Sequence, residues 1–246
     1  MDDPAAISST AQAKLALRDR IRRGCWRPGD KLPPERVLAD ELSINRMSLR
    51  QALLSLESES ELFRLDRRGW FVTQKRFVYD ALNHVSFEQS GRAQGHVTWM
   101  DLLQQTEPAT EDDAEDFGIS PGAPLHRLQG WGAFEGHRVF VHDVLLRADA
   151  APDLLTHLGG GSITGVLKTR YGIEPILSEI LMRPIRLEGE PQKLLGCTNG
   201  APGLYIRRTK LHPDGRVVQI DREFWRHDAI EVRYTASQPP SDGASE

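Results

Sequence analysis

Residues 45–53, with the sequence NRMSLRQAL, decide the fold of the front of this chain. Asn45 is a favoured helix N-cap, and the helix that it starts has an apolar stripe of Leu49, Ala52, Leu53 and Leu56. Residues 35–42 predict a second short helix just upstream. Two short helices joined by a turn of three or four residues form a helix-turn-helix.

The flanking segments extend this motif on both sides. An amphipathic helix is predicted over Thr10 to Arg23, with Ser9 or Thr10 as its N-cap. Residues 62–72, LFRLDRRGWFV, indicate a strand, a basic turn and a second strand. This hairpin is a wing, in which Gly69 permits close approach of the backbone to DNA.

The predicted recognition face lies at the start of the third helix, where Asn45, Arg46, Ser48 and Arg50 stand outside the apolar stripe. In a helix-turn-helix, this end of the second helix enters the major groove. The fork of an arginine can bind guanine with two hydrogen bonds, and Asn and Ser can reach base edges or phosphates. The alternative is a solvated charged helix beside a surface hairpin.

Three segments closely resemble the winged helix-turn-helix of the GntR family of bacterial repressors. They are PGDKLPPER at 28–36, NRMSLRQAL at 45–53 and RGWFV at 68–72, within a resemblance that covers about residues 10–73. The contacts with operator DNA that it implies come from Arg36, Arg46, Ser48 and Arg50, with Arg68 and Gly69 in the wing. Pro34 stands where the family usually has a serine, so the hydrogen bond from that hydroxyl to a DNA phosphate is lost. Trp70 replaces a small residue and either packs inward or alters the approach to the minor groove.

Composition and charge limit the remaining classes. The 246 residues suit two domains, and 39% hydrophobic residues exclude a mainly disordered chain. No apolar run approaches the roughly 20 residues that span a bilayer, and the acidic start lacks a secretory signal, so we expect a cytoplasmic protein without a membrane partner. Residues 1–76 carry 15 Lys and Arg against 11 Asp and Glu, whereas residues 77–246 carry 16 against 24. A basic front and an acidic rear are typical of a chain in which one domain meets phosphate.

The rear of the chain predicts an α+β domain, with helices on one side of an antiparallel sheet. The predicted strands are Leu125 to Trp131, Arg138 to Leu146, Glu179 to Arg186, Leu204 to Leu211 and Arg216 to Trp225. The predicted helices are Asp112 to Phe117, Pro152 to Leu158, Ile163 to Tyr171 and Pro191 to Leu195. Asp214-Gly215, between the last two strands, is a strong hairpin signal.

A repeated layout of helix end, glycine turn and new strand, at residues 117–125 and 195–204, looks like the UTRA effector domain of the HutC branch of GntR regulators. The resemblance covers about residues 80–235 and implies the chorismate-lyase fold and a small-metabolite ligand. The predicted domains are a winged helix-turn-helix at 1–73, an extended linker at 74–83, an effector-binding and dimerisation domain at 84–235, and a disordered tail at 236–246.

The UTRA resemblance also implies the effector-binding residues. They are Ser162 and Thr164 at a helix N-terminus, His142 on the second strand, Gln219 and Trp225 on the last strand, and Gly130, Trp131 and Gly132 on the first. Sugar-phosphate-binding members carry two arginines at the two glycine positions, so an identical phosphate site is not expected. The glycines either leave room for a bulkier effector or let its anion meet backbone N–H groups. Alternatively, the two tryptophans are core residues and Ser162 is only a helix cap.

Four arginines near the end of the chain, Arg207, Arg208, Arg222 and Arg226, either line an acidic-effector pocket or pair with neighbouring carboxylates. The sequence contains no Gly-rich phosphate loop, nucleophile elbow or close His/Cys/Asp cluster. We therefore predict no enzyme activity, no cofactor and no metal site. Cys25 and Cys197 are too far apart in sequence to indicate a disulfide framework.

Together these features predict a homodimeric regulator that binds double-stranded, near-palindromic operator DNA. We expect a repressor that a small metabolite releases from DNA, either phosphonate-related or another small anion. A chorismate-lyase-like enzyme fused to a DNA-binding domain is the first alternative. An architectural DNA-binding protein without an effector is the second.

Overall fold

The computed structural model describes residues 8–81, 87–159 and 162–234. Three helices open the described chain: α1 Ser9–Arg22, α2 Glu35–Leu42 and α3 Arg46–Ser58. Asn45 caps α3, as predicted, by accepting a hydrogen bond from the backbone N–H of Ser48 at 2.8 Å. The predicted apolar stripe of α3 is fully buried and consists of Leu49, Ala52, Leu53 and Leu56. The helix-turn-helix is therefore confirmed.

Helix α1 begins slightly earlier than predicted. The residue that caps it is Ser8, not Ser9 or Thr10, because the Ser8 hydroxyl accepts the backbone N–H of Ala11 at 3.2 Å. The helix also ends one residue earlier, and Arg23 is its C-cap.

The wing is a two-stranded antiparallel hairpin of β1 Leu62–Leu65 and β2 Gly69–Val72. Trp70 packs inward and is 3% exposed, and its indole N–H donates to Glu35 at 2.9 Å. Of the two alternatives for this residue, the structure therefore selects packing. Pro34, at the N-cap position of α2, makes no side-chain cap hydrogen bond.

The rear of the chain is built on one six-stranded antiparallel sheet, in the order β4-β5-β6-β9-β8-β7. Its strands are β4 Val97–Pro108, β5 Pro124–Phe134, β6 His137–Arg147, β7 Ile176–Leu187, β8 Ala201–Leu211 and β9 Val217–Arg226. Two further strands, β3 Phe77–Asp80 and β10 Ile230–Arg233, form a parallel pair. The rear helices are α4 Phe87–Arg92, α5 Glu111–Phe117, α6 Leu154–His157, α7 Ile163–Tyr171 and α8 Gly189–Leu195. The α+β fold and the β8–β9 hairpin are confirmed.

Helices cover both faces of this sheet, so the prediction of helices on one side was wrong. Val144 and Leu145 are neighbours on β6 and point to opposite faces. Val144 packs against α6 and α7, and Leu145 packs against α5. We call the face of Val144 the α7 face, and the face of Leu145 the α5 face. Each face of the sheet buries its apolar residues because both are covered.

The sequence did not predict β4, β10 or α4. β4 is an edge strand with many polar residues, and a bulge between Asp101 and Leu103 interrupts its alternation. β3 lies within the predicted linker, where Phe77 is 2% exposed and stacks on the ring of Trp225. Residues 82–83 of that linker, residues 1–7 and the predicted tail 236–246 lie outside the described residues, and the domain boundaries stay predictions.

Candidate DNA-binding surface and effector site

The exposed start of α3 carries the predicted recognition residues. Arg46 and Arg50 are exposed, and within the described part of the chain neither forms an ion pair. Arg46 is the first residue of α3 and Arg50 the fifth, so both lie close to the helix N-terminus, where the backbone partial charge also favours a phosphate. The side-chain oxygen of Asn45 is occupied by its capping bond to Ser48, so the amide N–H groups of Asn45 stay available. The arrangement presents donors and positive charge on a rigid helix.

Two further predicted contacts flank this helix. The side chain of Arg36 on α2 is 68% exposed and only loosely paired with Asp40, at 3.9 Å. In the wing, Arg68 is exposed and lies over the ring of Phe71 at 5.6 Å. Gly69 has φ of +96°, a left-handed conformation that favours glycine, so the wing turn requires this residue.

The structure separates the predicted effector residues onto two faces of the sheet. Gly130 pairs with His142, and Trp131 pairs with Val141, so the two pairs point in opposite directions. The α7 face carries five of the predicted residues: Gly130, Gly132, His142, Gln219 and Trp225. Trp131 lies on the α5 face, where the guanidinium of Arg138 stacks on its ring at 4.4 Å.

The chain itself fills the space beside the two glycines. A Cβ on Gly130 would lie 1.8 Å from the carbonyl oxygen of Met100, and one on Gly132 would lie 2.1 Å from the ring of Phe140. These distances are far below van der Waals contact. The chain itself therefore occupies the space beside each glycine, which argues against the first of the two alternatives, room for a bulkier effector. The second, contact of an anion with backbone N–H groups, stays a prediction.

His142 is the centre of a polar group on the α7 face. It is 1% exposed, its Nε2 lies 2.9 Å from Asp101, and its ring stacks on Trp99 at 3.8 Å. Its Nδ1 is buried without a hydrogen-bond partner among the described residues. Burial opposes ionisation of Asp101, but hydrogen bonding and charge attraction from His142 outweigh it and lower the pKa of this carboxyl below its usual value. Sequence reasoning missed Asp101 and Trp99 because it missed β4.

The start of α7 supplies the other predicted polar contacts. The Ser162 hydroxyl accepts the backbone N–H of Gly165 at 3.0 Å, so this side chain is a helix cap. Thr164, in the first turn, is partly exposed. Residues 160–161, directly before the cap, lie outside the described residues.

Gln219 and Trp225 are tied into the protein. Gln219 donates through its amide to Asp221 at 2.5 Å, and its Oε1 is buried without a partner in the described chain. Trp225 is 1% exposed, stacks on Phe140 at 4.3 Å, and donates its indole N–H to Glu223 at 2.7 Å. Trp225 therefore contributes to the core, and a contact between it and an effector stays a prediction.

A group of paired charges surrounds Gln219 on the α7 face. Asp221 is 2% exposed and forms an ion pair with the ammonium group of Lys210 at 2.8 Å. Glu223 forms an ion pair with Arg208. Burial opposes the charge of Lys210 and lowers its pKa. Burial also opposes the charge of Asp221, but Lys210 and Arg208 outweigh it and lower the pKa of this carboxyl.

The four arginines left open by the sequence are all paired with carboxylates. On the α5 face, Arg207 binds Asp116 at 2.7 Å, and Arg222 binds both Asp113 and Asp116. At the end of β9, Arg226 pairs with Asp228 at 2.5 Å. With Arg208 paired as above, the described structure favours internal ion pairing over an arginine-lined effector pocket.

No helix in the described part of the chain is long and apolar enough to cross a membrane. No group of three or more His, Cys, Asp or Glu side chains in residues 8–81, 87–159 and 162–234 is placed to hold a metal ion.

Comparison with known proteins identifies both parts of the chain. A model described as "Bacterial regulatory proteins, gntR family" matches residues 9–72, and one described as "UTRA domain" matches residues 93–231. The uncharacterized HTH-type transcriptional regulator YihL of Escherichia coli strain K12 is 37% identical over 227 residues, which cover 92% of this chain and 96% of YihL. The HTH-type transcriptional repressor NagR of Bacillus subtilis strain 168 is 27% identical over 221 residues, with 89% of each protein covered.

Solved structures agree in fold. The crystal structure of PhnF from Mycobacterium smegmatis superposes with a TM-score of 0.62 at 23% sequence identity, over 92% of this chain and 100% of that chain. The structure of the possible transcriptional regulator YydK from Bacillus subtilis superposes with a TM-score of 0.58 at 18% identity, over 94% of this chain and 100% of that chain. At these identities the likeness shows a shared fold.

Proposed function

Because the chain belongs to the gntR family of bacterial regulatory proteins and carries a UTRA domain, we propose that it is a cytoplasmic, ligand-responsive repressor and not an enzyme. In this proposal a homodimer binds two half-sites of a near-palindromic operator, and a small metabolite releases it. The observation that carries the DNA-binding part is the start of α3, where Arg46 and Arg50 are exposed, held on a capped helix and free of ion pairs within the described chain.

The test is fluorescence anisotropy on DNA from upstream of the protein's own gene, against a scrambled duplex, at two salt concentrations. Arg46→Ala and Arg50→Ala are each expected to cost about 1–3 kcal/mol of specific binding, or roughly 5- to 150-fold. Arg233→Ala is the matched control, since it removes an exposed arginine from the rear domain. Full operator affinity in both α3 variants would overturn the assignment of α3 as the recognition helix.

Salt dependence separates specific from general DNA binding. Binding through phosphates weakens as salt rises, because counterions are released on association. We expect tight, salt-sensitive and sequence-selective binding to the upstream DNA. Equal and weak binding to both duplexes would favour an architectural protein or an operator elsewhere, and selection of bound genomic fragments would then decide between the two.

For the effector, we propose a small anionic metabolite, with phosphonate-related compounds as the first candidates, on the α7 face between His142 and the start of α7. The unpartnered Nδ1 of buried His142 offers a hydrogen-bonding position, and the α7 N-terminus favours an anionic group. A panel of phosphonates, sugar phosphates and small carboxylic acids would be screened by thermal unfolding and by release of labelled operator. A hit should lose its effect in His142→Asn and keep it in His212→Asn, because His212 lies at the distant β8–β9 turn.

For the dimer, we propose pairing between two copies of the β7 edge. β7 is an outer strand, and antiparallel pairing centred on Leu181 would set Glu179 of each copy opposite Arg183 of the other. Leu181 is 39% exposed, so this contact would also bury an apolar side chain. The bulge of β4, the other edge, lies in the middle of that strand, between Asp101 and Leu103, whereas the bulge of β7, between Leu177 and Glu179, lies at the border of the paired segment 179–183. Sedimentation should show a dimer that Leu181→Arg converts to monomer, and an unchanged dimer would exclude this edge.

A further inference from the structure

The wing lies directly against the rear domain. Leu65 at the end of β1 forms an antiparallel bridge with Cys197, in the turn between α8 and β8. The next residue, Asp66, donates its backbone N–H to the carbonyl of Gly196 at 2.8 Å. Asp66 is the first residue of the wing turn, so a backbone hydrogen bond joins the rear domain to the wing at its tip.

Side chains extend this contact on both sides of the bridge. The guanidinium of Arg226 lies 4.1 Å from the ring centre of Phe63, and Phe63 is 3% exposed. His227 places its Nε2 at 3.0 Å from the carbonyl oxygen of Glu57, near the end of α3. The other ring nitrogen, Nδ1, lies 3.1 Å from the carbonyl oxygen of Pro202 in the rear domain, so the imidazole connects α3 with the start of β8. The rear domain therefore holds both the wing and the recognition helix.

This contact conflicts with DNA binding by the wing. The minor groove of B-DNA is about 6 Å wide and admits only the tip of a hairpin. The α8–β8 turn contacts Asp66, the first residue of the wing turn, so a groove wall that closes around the exposed tip at Arg67 and Arg68 would approach residues 196–197. The rear of the chain is also acidic, with 24 Asp and Glu against 16 Lys and Arg over residues 77–246, so it repels phosphate.

We infer that the contact of Leu65, Asp66 and Phe63 with residues 196–197 and 226–227 is an autoinhibitory latch. The latched arrangement is the DNA-free state, and the wing must separate from the α8–β8 turn to bind the operator. The inference rests on the proposed function, because it concerns the control of the same DNA-binding surface. Arg226 directly follows Trp225 on β9, so a shift of the strand that carries the predicted effector residues would also move the latch.

The latch can be locked with a single added cysteine. Residues that face each other across an antiparallel bridge have Cα atoms about 4.5–5.5 Å apart, which a disulfide spans. Leu65→Cys would therefore pair with the native Cys197, in a Cys25→Ser background that removes the exposed thiol. Glutathione disulfide serves as the oxidant, and peptide mapping confirms the intramolecular bond.

The inference predicts that the oxidised variant loses operator affinity by about tenfold or more, because the binding-competent fraction falls, and that reduction restores it. The reduced form of the same protein is the matched control for folding. Equal affinity in the oxidised and reduced forms would overturn the latch. Failure of the Cys25→Ser parent to bind any operator DNA would instead overturn the proposed function, and the latch with it.

A second variant tests the latch without a cross-link. His227→Ala removes the hydrogen bond to Glu57, and the inference predicts operator binding at least as tight as that of the parent, up to about fivefold tighter. His212→Ala is the control, since His212 lies in the β8–β9 turn. Weaker operator binding by His227→Ala alone would mean that the latched arrangement is the one that binds DNA, and would refute the inference.

Discussion

Gly132→Ala tests whether the glycines of β5 serve the protein or its ligand. The added Cβ would lie 2.1 Å from the ring of Phe140, more than 1 Å closer than the roughly 3.5 Å of ordinary carbon contact. Phe140 cannot move away easily, since it is fully buried and stacks on Trp225 at 4.3 Å. The substitution therefore overpacks a closed aromatic core.

Overpacking of this kind costs typically about 1–3 kcal/mol, and the closeness of the contact places Gly132→Ala near the upper end. For a chain of this size, each kcal/mol lowers the melting temperature by about 2–4 °C, so we expect a fall of roughly 4–12 °C. The assay is thermal unfolding followed by circular dichroism, without any ligand.

A second substitution supplies the control. Phe140→Leu removes the ring that Gly132→Ala meets, so the double variant should be more stable than the sum of the two single effects by about 1 kcal/mol or more. Additive losses would contradict the proposed contact. An unchanged melting temperature in Gly132→Ala, together with a lost effector response, would refute the reasoning. It would mean that the effector, and not Phe140, occupies the space beside Gly132.

Three further predictions concern buried ionisable groups. Asp221→Asn should destabilise the fold by about 3–5 kcal/mol in urea unfolding, because it leaves Lys210 without its carboxylate partner, whereas the exposed Asp214→Asn should cost far less. Burial opposes ionisation of Asp113, but hydrogen bonds from its neighbours outweigh it and lower its pKa, so its stabilising effect is present at neutral pH and lost as pH falls below about 4. Unfolding at pH 7 and pH 3 should show a smaller loss in Asp113→Asn than in the parent, and an equal loss would contradict this origin. Burial raises the pKa of Cys197 to about 11, so a thiol reagent at pH 8 should modify the exposed Cys25 first, and equal rates would refute the burial.

The sequence by itself determined the front domain and much of the sheet. The Asn45 cap and the leucines at helical spacing are local signals, because each can be read from residues within α3 or directly before it. The hairpin at Asp214-Gly215 is equally local, because turn geometry depends on the turn residues themselves. Strands in which apolar and polar residues alternate regularly were predicted for the same reason, although β5 and β8 are longer than predicted.

Only the tertiary structure decided which residues meet. β4 escaped prediction because an edge strand with a bulge lacks regular alternation, and Asp101, the partner of His142, was missed with it. The role of Gly132 depends on Phe140 of a neighbouring strand, and the contact of Leu65 with Cys197 joins residues that lie far apart in the chain. Local pattern predicts an element and its buried face, but pairing between distant segments is fixed by packing of the whole chain, which no local window contains.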